Sequence, residues 1–181
     1  MAKQLTEITP DIKEFILNQK VFFVATAAAD GRINLSPKGM DTFRVLGANK
    51  IAWLNLTGSG NETAAHLLRN NRMTIMFCSF EGKPLILRLY GTAKAFHERD
   101  ESYHQYLELF PKLPGTRQFI EMKVEMAQTS CGYAVPFMDF KEERTQLNSW
   151  AEKQGAERLE NYKKGKNAFS IDGFETKIFE D

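Results

Sequence analysis

The sequence predicts an α+β chain that is mainly β: a small antiparallel barrel or a pair of packed sheets, with helices at its periphery. Three observations carry this. Two hairpin patterns follow one another, at 21–38 and 42–56, turning on "ADG" and "GAN". Strand-like runs then resume in "RMTIMFCSF", "PLILRLYGTAKAF" and "QFIEMKVEMAQTS". The regular strand-to-helix rhythm of a doubly wound fold is missing.

The elements read in order. "TPDIKEFILNQK" starts a helix, with Thr9 as N-cap, Pro10 at the first helical position, and Ile12, Phe15 and Ile16 on one face. "VFFVATA" and 32–38 form the first hairpin, "TFRVL" and "KIAWLNL" the second. "TGSGNETAAHLLRNN" breaks the strand pattern and predicts a short helix, capped by Ser59 with Glu62 or by Asn61. "DESYHQYLELF" and "EERTQLNSWAEKQGAERLENYKKG" are helical, the second weakened by Gly155. "AFSIDGFETKIF" is either a hairpin or a segment draped across the fold. The expectation is one domain over 1–181 with helical additions around 100–118 and 141–164, since 181 residues that are 43 % hydrophobic supply a sizeable core.

The bulk chemistry excludes several classes. A formal charge of +1 gives no general attraction to nucleic acid or to a membrane. Residues 1–90 hold 11 Lys and Arg against 7 Asp and Glu, and 91–181 hold 13 against 16, a mild lean toward anions in the first half. No run reaches membrane-span length, and "MAKQLTEITP" lacks the apolar stretch of a signal peptide, so a cytoplasmic location is expected. Cys78 and Cys131 form no CxxC, and His66, His97 and His104 have no metal-ligand spacing, so no metal site is expected. GxGxxG and the P-loop are absent.

Candidate chemistry begins with "DGRINLSPKG". Period two puts Arg32, Asn34, Ser36 and Lys38 on one side and lets Ile33 and Leu35 reach the core. Those donors suit a phosphate, although a solvated strand face explains them as well. Arg88, inside "LILRLYG", needs an anion from a nearby acid, a ligand or a dimer partner. In "WLNLTGSGNET", Trp53 offers a flat wall, and Ser59, Gly60 and Asn61 sit at a helix start where N–H groups favour anions. Glu62 competes for those groups. Cys131 reads as a buried or structural thiol, Trp150 as core packing, and the histidines as surface or locally bonded. Asp139, Glu142 and Glu143 read as a charged helix start, and Arg144 faces an anion or pairs locally.

"FVATAAADGRINLSPKG", "IAWLNLTGSGNETAAHLLRNNRMTIMF" and "LRLYGTA" together resemble the pyridoxamine 5′-phosphate oxidase-related, FMN-binding split-barrel family over residues 12–97. "SCGYAVP" resembles a later segment in one branch of it. The resemblance implies an antiparallel Greek-key-like split barrel that dimerises with itself and holds FMN in clefts at the subunit boundary. It implies cofactor contacts from the stretch carrying Asn34, Leu35, Ser36 and Lys38, with Trp53 and Leu54 beside the ring. Ser59, Gly60 and Asn61 would lie at the phosphate and Arg88 near the cleft. It also implies a flavin-dependent oxidoreductase acting on a small molecule, since a flavin brings its own redox chemistry. Two alternatives remain: a flavin sensor or store without turnover, and a barrel that binds single-stranded nucleic acid. The chain departs from the vitamin B6 oxidase proper at Ile86, where that enzyme carries glutamine, and at Glu62, where relatives are often basic. FMN binding is therefore expected, and pyridoxamine-phosphate oxidation is not. Some relatives bind haem or a deazaflavin; a C-terminal haem histidine is lacking, His104 being the last.

Overall fold

A computed structural model describes residues 2–179, so the expected domain of 1–181 extends at Met1, Glu180 and Asp181 beyond the described residues. Eight strands form one antiparallel sheet: β1 (Lys3–Leu5), β2 (Phe22–Thr26), β3 (Asn34–Lys38), β4 (Phe43–Gly47), β5 (Lys50–Leu56), β6 (Arg72–Cys78), β7 (Ile86–Phe96) and β8 (Thr116–Ser130). Among the described residues four helices flank it: α1 (Pro10–Asn18), α2 (Glu62–Arg69), α3 (Glu101–Leu107) and α4 (Gln146–Lys166). The strand order is β3-β2-β6-β7-β8-β5-β4, with β1 added along β8, so β3 and β4 are the ends of the path.

The sheet curls until its two halves meet. Phe22 of β2 packs edge-on against Phe43 of β4 at 4.9 Å, and Phe43 against Phe77 of β6 at 5.2 Å, although no ladder joins these halves. Aromatic packing rather than hydrogen bonding closes the barrel, leaving it split. Trp53, Ile51, Leu87, Leu89 and Met122 complete the main core, and α1 contributes Ile12 and Ile16. A second cluster lies under α3, where Tyr103, Tyr106 and Phe110 meet Leu54 and Phe119. Gly91 marks a register shift between β7 and β8; a Cβ there would sit 1.9 Å from the Lys123 carbonyl oxygen.

Thr9 caps α1 as the sequence predicts, its hydroxyl accepting from the Ile12 N–H. Two expectations need correction. The helical addition at 100–118 is only α3, because Thr116 already opens the long strand β8. The addition at 141–164 starts at Gln146 and breaks at Gly155, whose φ of 68° is left-handed. The tail from Asn167 to Thr176 agrees with the sequence reading: it turns back through one antiparallel bridge, Phe169 to Glu175, with the Ser170 N–H donating to the Phe174 carbonyl and the Thr176 N–H to that of Ala168, and it drapes over the fold as a strap. Among the described residues, no helix is long and apolar enough to cross a membrane.

Candidate functional site

The split opens a cleft of about 270 Å³ between β3 and the turn joining β5 to α2, lined by Asn34, Ser36, Lys38, Asn55, Ser59, Gly60, Asn61, Glu62 and Arg117 among others. β3 faces it with its polar side. The expected alternation exists but is inverted. Asn34, Ser36 and Lys38 turn inward, while Ile33 and Leu35 are 77 % and 65 % exposed, so neither reaches the core. The inner side of β3 borders a cleft lined by polar and charged groups, which takes the strand's donors and leaves Leu35 outside, paired with Ala25.

Two cations meet inside. Burial, then the nearby Arg117 charge, pushes the Lys38 ammonium down to about 8 from 10.5. Its Nζ lies 5.3 Å from the centre of the Trp53 ring. Arg117, at the start of β8, is 5 % exposed; burial pushes its guanidinium down to about 9, which leaves it charged at neutral pH. One Nη1–H donates to the Gly60 carbonyl at 2.9 Å, and the buried Nε–H has no partner. No carboxylate forms an ion pair with either cation among the described residues. His97, near Arg117, is pushed down to about 4 by burial and the Arg99 charge, so it stays neutral and adds no third charge.

Buried hydrogen bonds hold the walls. The Asn34 amide donates to Thr26 Oγ1 and Thr63 Oγ1, both at 3.2 Å, and Thr26 Oγ1 lies 3.1 Å from His66 Nδ1. Asn61 is the N-cap of α2, but its side chain makes no cap bond; it accepts from Gln118 Nε2 at 2.9 Å and donates to the Asn167 carbonyl at 3.3 Å. This leaves no Ser59–Glu62 capping box. Glu62 instead accepts the Ile171 N–H at 3.1 Å.

The structure therefore brings together Asn34, Ser36, Lys38, Ser59, Gly60 and Asn61, and separates the other candidates. Arg32 points to the strap and pairs with Asp172. Leu35 faces outward. Trp53 and Leu54 are buried on opposite faces of β5, in the main core and under α3, so neither stands as an open wall; Trp53 reaches the cleft only through Lys38. Arg88 lies outside the cleft, on the outer sheet face, its Nη1–H donating to Ser130 Oγ at 3.2 Å. Cys131 is exposed, not buried, and Cys78 is a buried free thiol. Trp150 is half-buried against Tyr162 across the α4 break. Arg117 escaped the sequence reading because residues 117–120 are all buried, so no alternation marks it. The usable signal was a charge opening the run "RQFI", the same reasoning that picked out Arg88.

Fold and cleft define a flavin-binding-type split barrel. Residues 8–131 match the model of the family described as Pyridoxamine 5'-phosphate oxidase, and the chain belongs to that family. It is 39 % identical over 137 residues to the Pyridoxamine 5'-phosphate oxidase family protein ustO of Aspergillus flavus, covering 73 % of this chain. The match spans about half, 55 %, of that curated relative's length. Among solved structures, a variant of HupZ from Group A Streptococcus superposes with a TM-score of 0.56 at 23 % identity, covering 68 % of this chain and 99 % of that one. A putative pyridoxamine 5'-phosphate oxidase from Lactobacillus delbrueckii gives 0.53 at 21 % identity, covering 68 % and 94 %. At these identities the structures show the split-barrel fold alone.

Proposed function

We propose that this chain is an FMN-binding flavoprotein acting as a homodimeric oxidoreductase on a small molecule. The observation that carries it is the pair of cations on one cleft, half-buried Lys38 and buried Arg117, neither ion-paired to a carboxylate among the described residues. Two unmatched charges out of water are costly, and a phosphate dianion relieves both. The donor set fits the cofactor's tail. Lys38, the unpartnered Arg117 Nε–H, the Ser36 and Ser59 hydroxyls and the amides at the start of α2 would hold the phosphate. When bound, the flavin supplies hydride and electron transfer. The chain's own part is to fix the anionic end and keep water from it.

The dimer reading rests on the outer sheet face. Phe23, Met76, Arg88 and Gln128 stand side by side across β2, β6, β7 and β8, and Ala25, Thr74, Tyr90 and Met126 form the next row. All eight are half-buried, and exposed Leu35 pairs with Ala25 at the edge. A mixed aromatic, methionine and arginine surface suits a second copy of the same chain. A cytoplasmic setting accords with two free cysteines.

Purified protein should be yellow and release FMN, identified by its visible spectrum and by mass spectrometry. A folded protein that neither retains nor takes up FMN overturns the reading. Anaerobic reduction followed by reoxidation with a panel of acceptors separates turnover from storage: an enzyme is reoxidised by one acceptor far faster than by the rest.

A further inference from the structure

The strap at 167–176 lies beyond the family-matched residues 8–131 and joins the α2-side wall of the cleft to the β2–β3 loop. On the α2 side, Asn167 Nδ2 donates to the Gly58 carbonyl at 3.0 Å, and its own carbonyl accepts from Asn61. The Ile171 N–H is held by Glu62, and Arg69 of α2 stacks on Phe174 at 4.0 Å. On the β3 side, Asp172 accepts the Arg32 backbone N–H at 2.7 Å and pairs with its guanidinium. Gly31 permits this approach: with φ +85°, a Cβ there would lie 2.5 Å from Asp172 Oδ2. The strap thus runs from the start of α2 to the β2–β3 loop, across the end of the cleft where the glycine-rich turn sits.

We infer that this strap makes the phosphate end of the cleft a dead end, so the site selects a flavin with a terminal phosphate monoester over one whose phosphate is extended as a diester. The block is steric. Asn167 and Ile171 are hydrogen-bonded to Gly58, Asn61 and Glu62, three residues that line the cleft, and Asp172 ties the far end of the strap to Arg32, so a tail extended past the phosphate would meet the strap. The Arg32 backbone N–H, then its side chain, holds the Asp172 carboxyl below its ordinary range, so the latch stays charged at neutral pH. Arg32 is accordingly a positioning residue for the strap, not a ligand of the phosphate. The inference rests on the FMN reading above and adds the selectivity.

The test titrates the full-length protein with FMN, FAD and riboflavin, and repeats this for Arg32→Ala and Asp172→Ala, which open the latch from opposite sides. Wild type should favour FMN over FAD by about 100-fold, and either variant should narrow that gap about tenfold by gaining FAD affinity while its FMN affinity stays within about threefold. Thermal unfolding checks that each variant is folded. Equal FMN and FAD affinity in wild type overturns the selectivity even if both variants misfold. Folded variants that keep the wild-type ratio overturn the role of the strap. Absence of binding by all three flavins fails differently, removing the FMN reading itself.

Discussion

Arg32 and Lys38 lie on one short stretch of chain, six positions apart, yet the fold gives them opposite fates. The Arg32 side chain is 71 % exposed and paired with Asp172. Lys38 is drawn inward beside Arg117, where neither is ion-paired to an acid among the described residues. A paired cation at the surface contributes little to stability, whereas two unpaired cations in a cleft burden the ligand-free protein. That difference separates a strut from a binding site. It also explains why the same donors, read along the sequence as one phosphate-binding face, do not act as one.

The comparison breaks most visibly at Arg117. Replacement by Met keeps the bulk and removes the charge, and should weaken FMN about 100-fold, as expected for losing a buried charged contact. The same variant should match or exceed wild-type thermal stability without ligand, because an unmatched buried charge is gone. Calorimetric titration and unfolding scans read both. Lower stability with unchanged FMN affinity would make Arg117 a structural residue. Lys38→Met should cost about tenfold in FMN affinity by the same titration.

A pH series sharpens the point. Below pH 8 Lys38 keeps its proton folded or unfolded; between about 8 and 10.5 only the unfolded chain keeps it. Through Lys38, ligand-free protein therefore gains stability as pH rises across that window. FMN affinity should begin to fall from about pH 8 as the ammonium discharges. Subtracting the Lys38→Met profile, by unfolding and titration at each pH, isolates the contribution. Arg88→Ala should act on assembly, raising the dimer dissociation constant several-fold in sedimentation while the phosphate contacts of each cleft persist. The smallest effect belongs to Arg32→Ala, with FMN affinity within about threefold of wild type.

Much of this was legible in the sequence. Hairpins, the Gly-rich break before α2 and the long final strand follow from local turn chemistry and period-two patterning, which act over a few residues. The β3 donors were legible as a set, but their inward orientation was not: alternation fixes which residues share a face and not which face is buried, and beside a polar cleft the usual apolar-inward assignment fails. Trp53 read as a wall because a tryptophan beside a glycine-rich turn suits that role, while its burial depends on Phe22, distant in sequence. Arg117 and the strap were out of reach because Gly60 and Arg117, or Arg32 and Asp172, meet only after the sheet curls.

The central claim is that Lys38 and Arg117 form one receptor for a phosphate. Titrating wild-type protein with FMN and with riboflavin, which differs only in lacking that phosphate, tests it most directly. The account predicts that FMN binds at least about 100-fold more tightly, a preference that Arg117→Met largely erases. Riboflavin binding as tightly as FMN would contradict it.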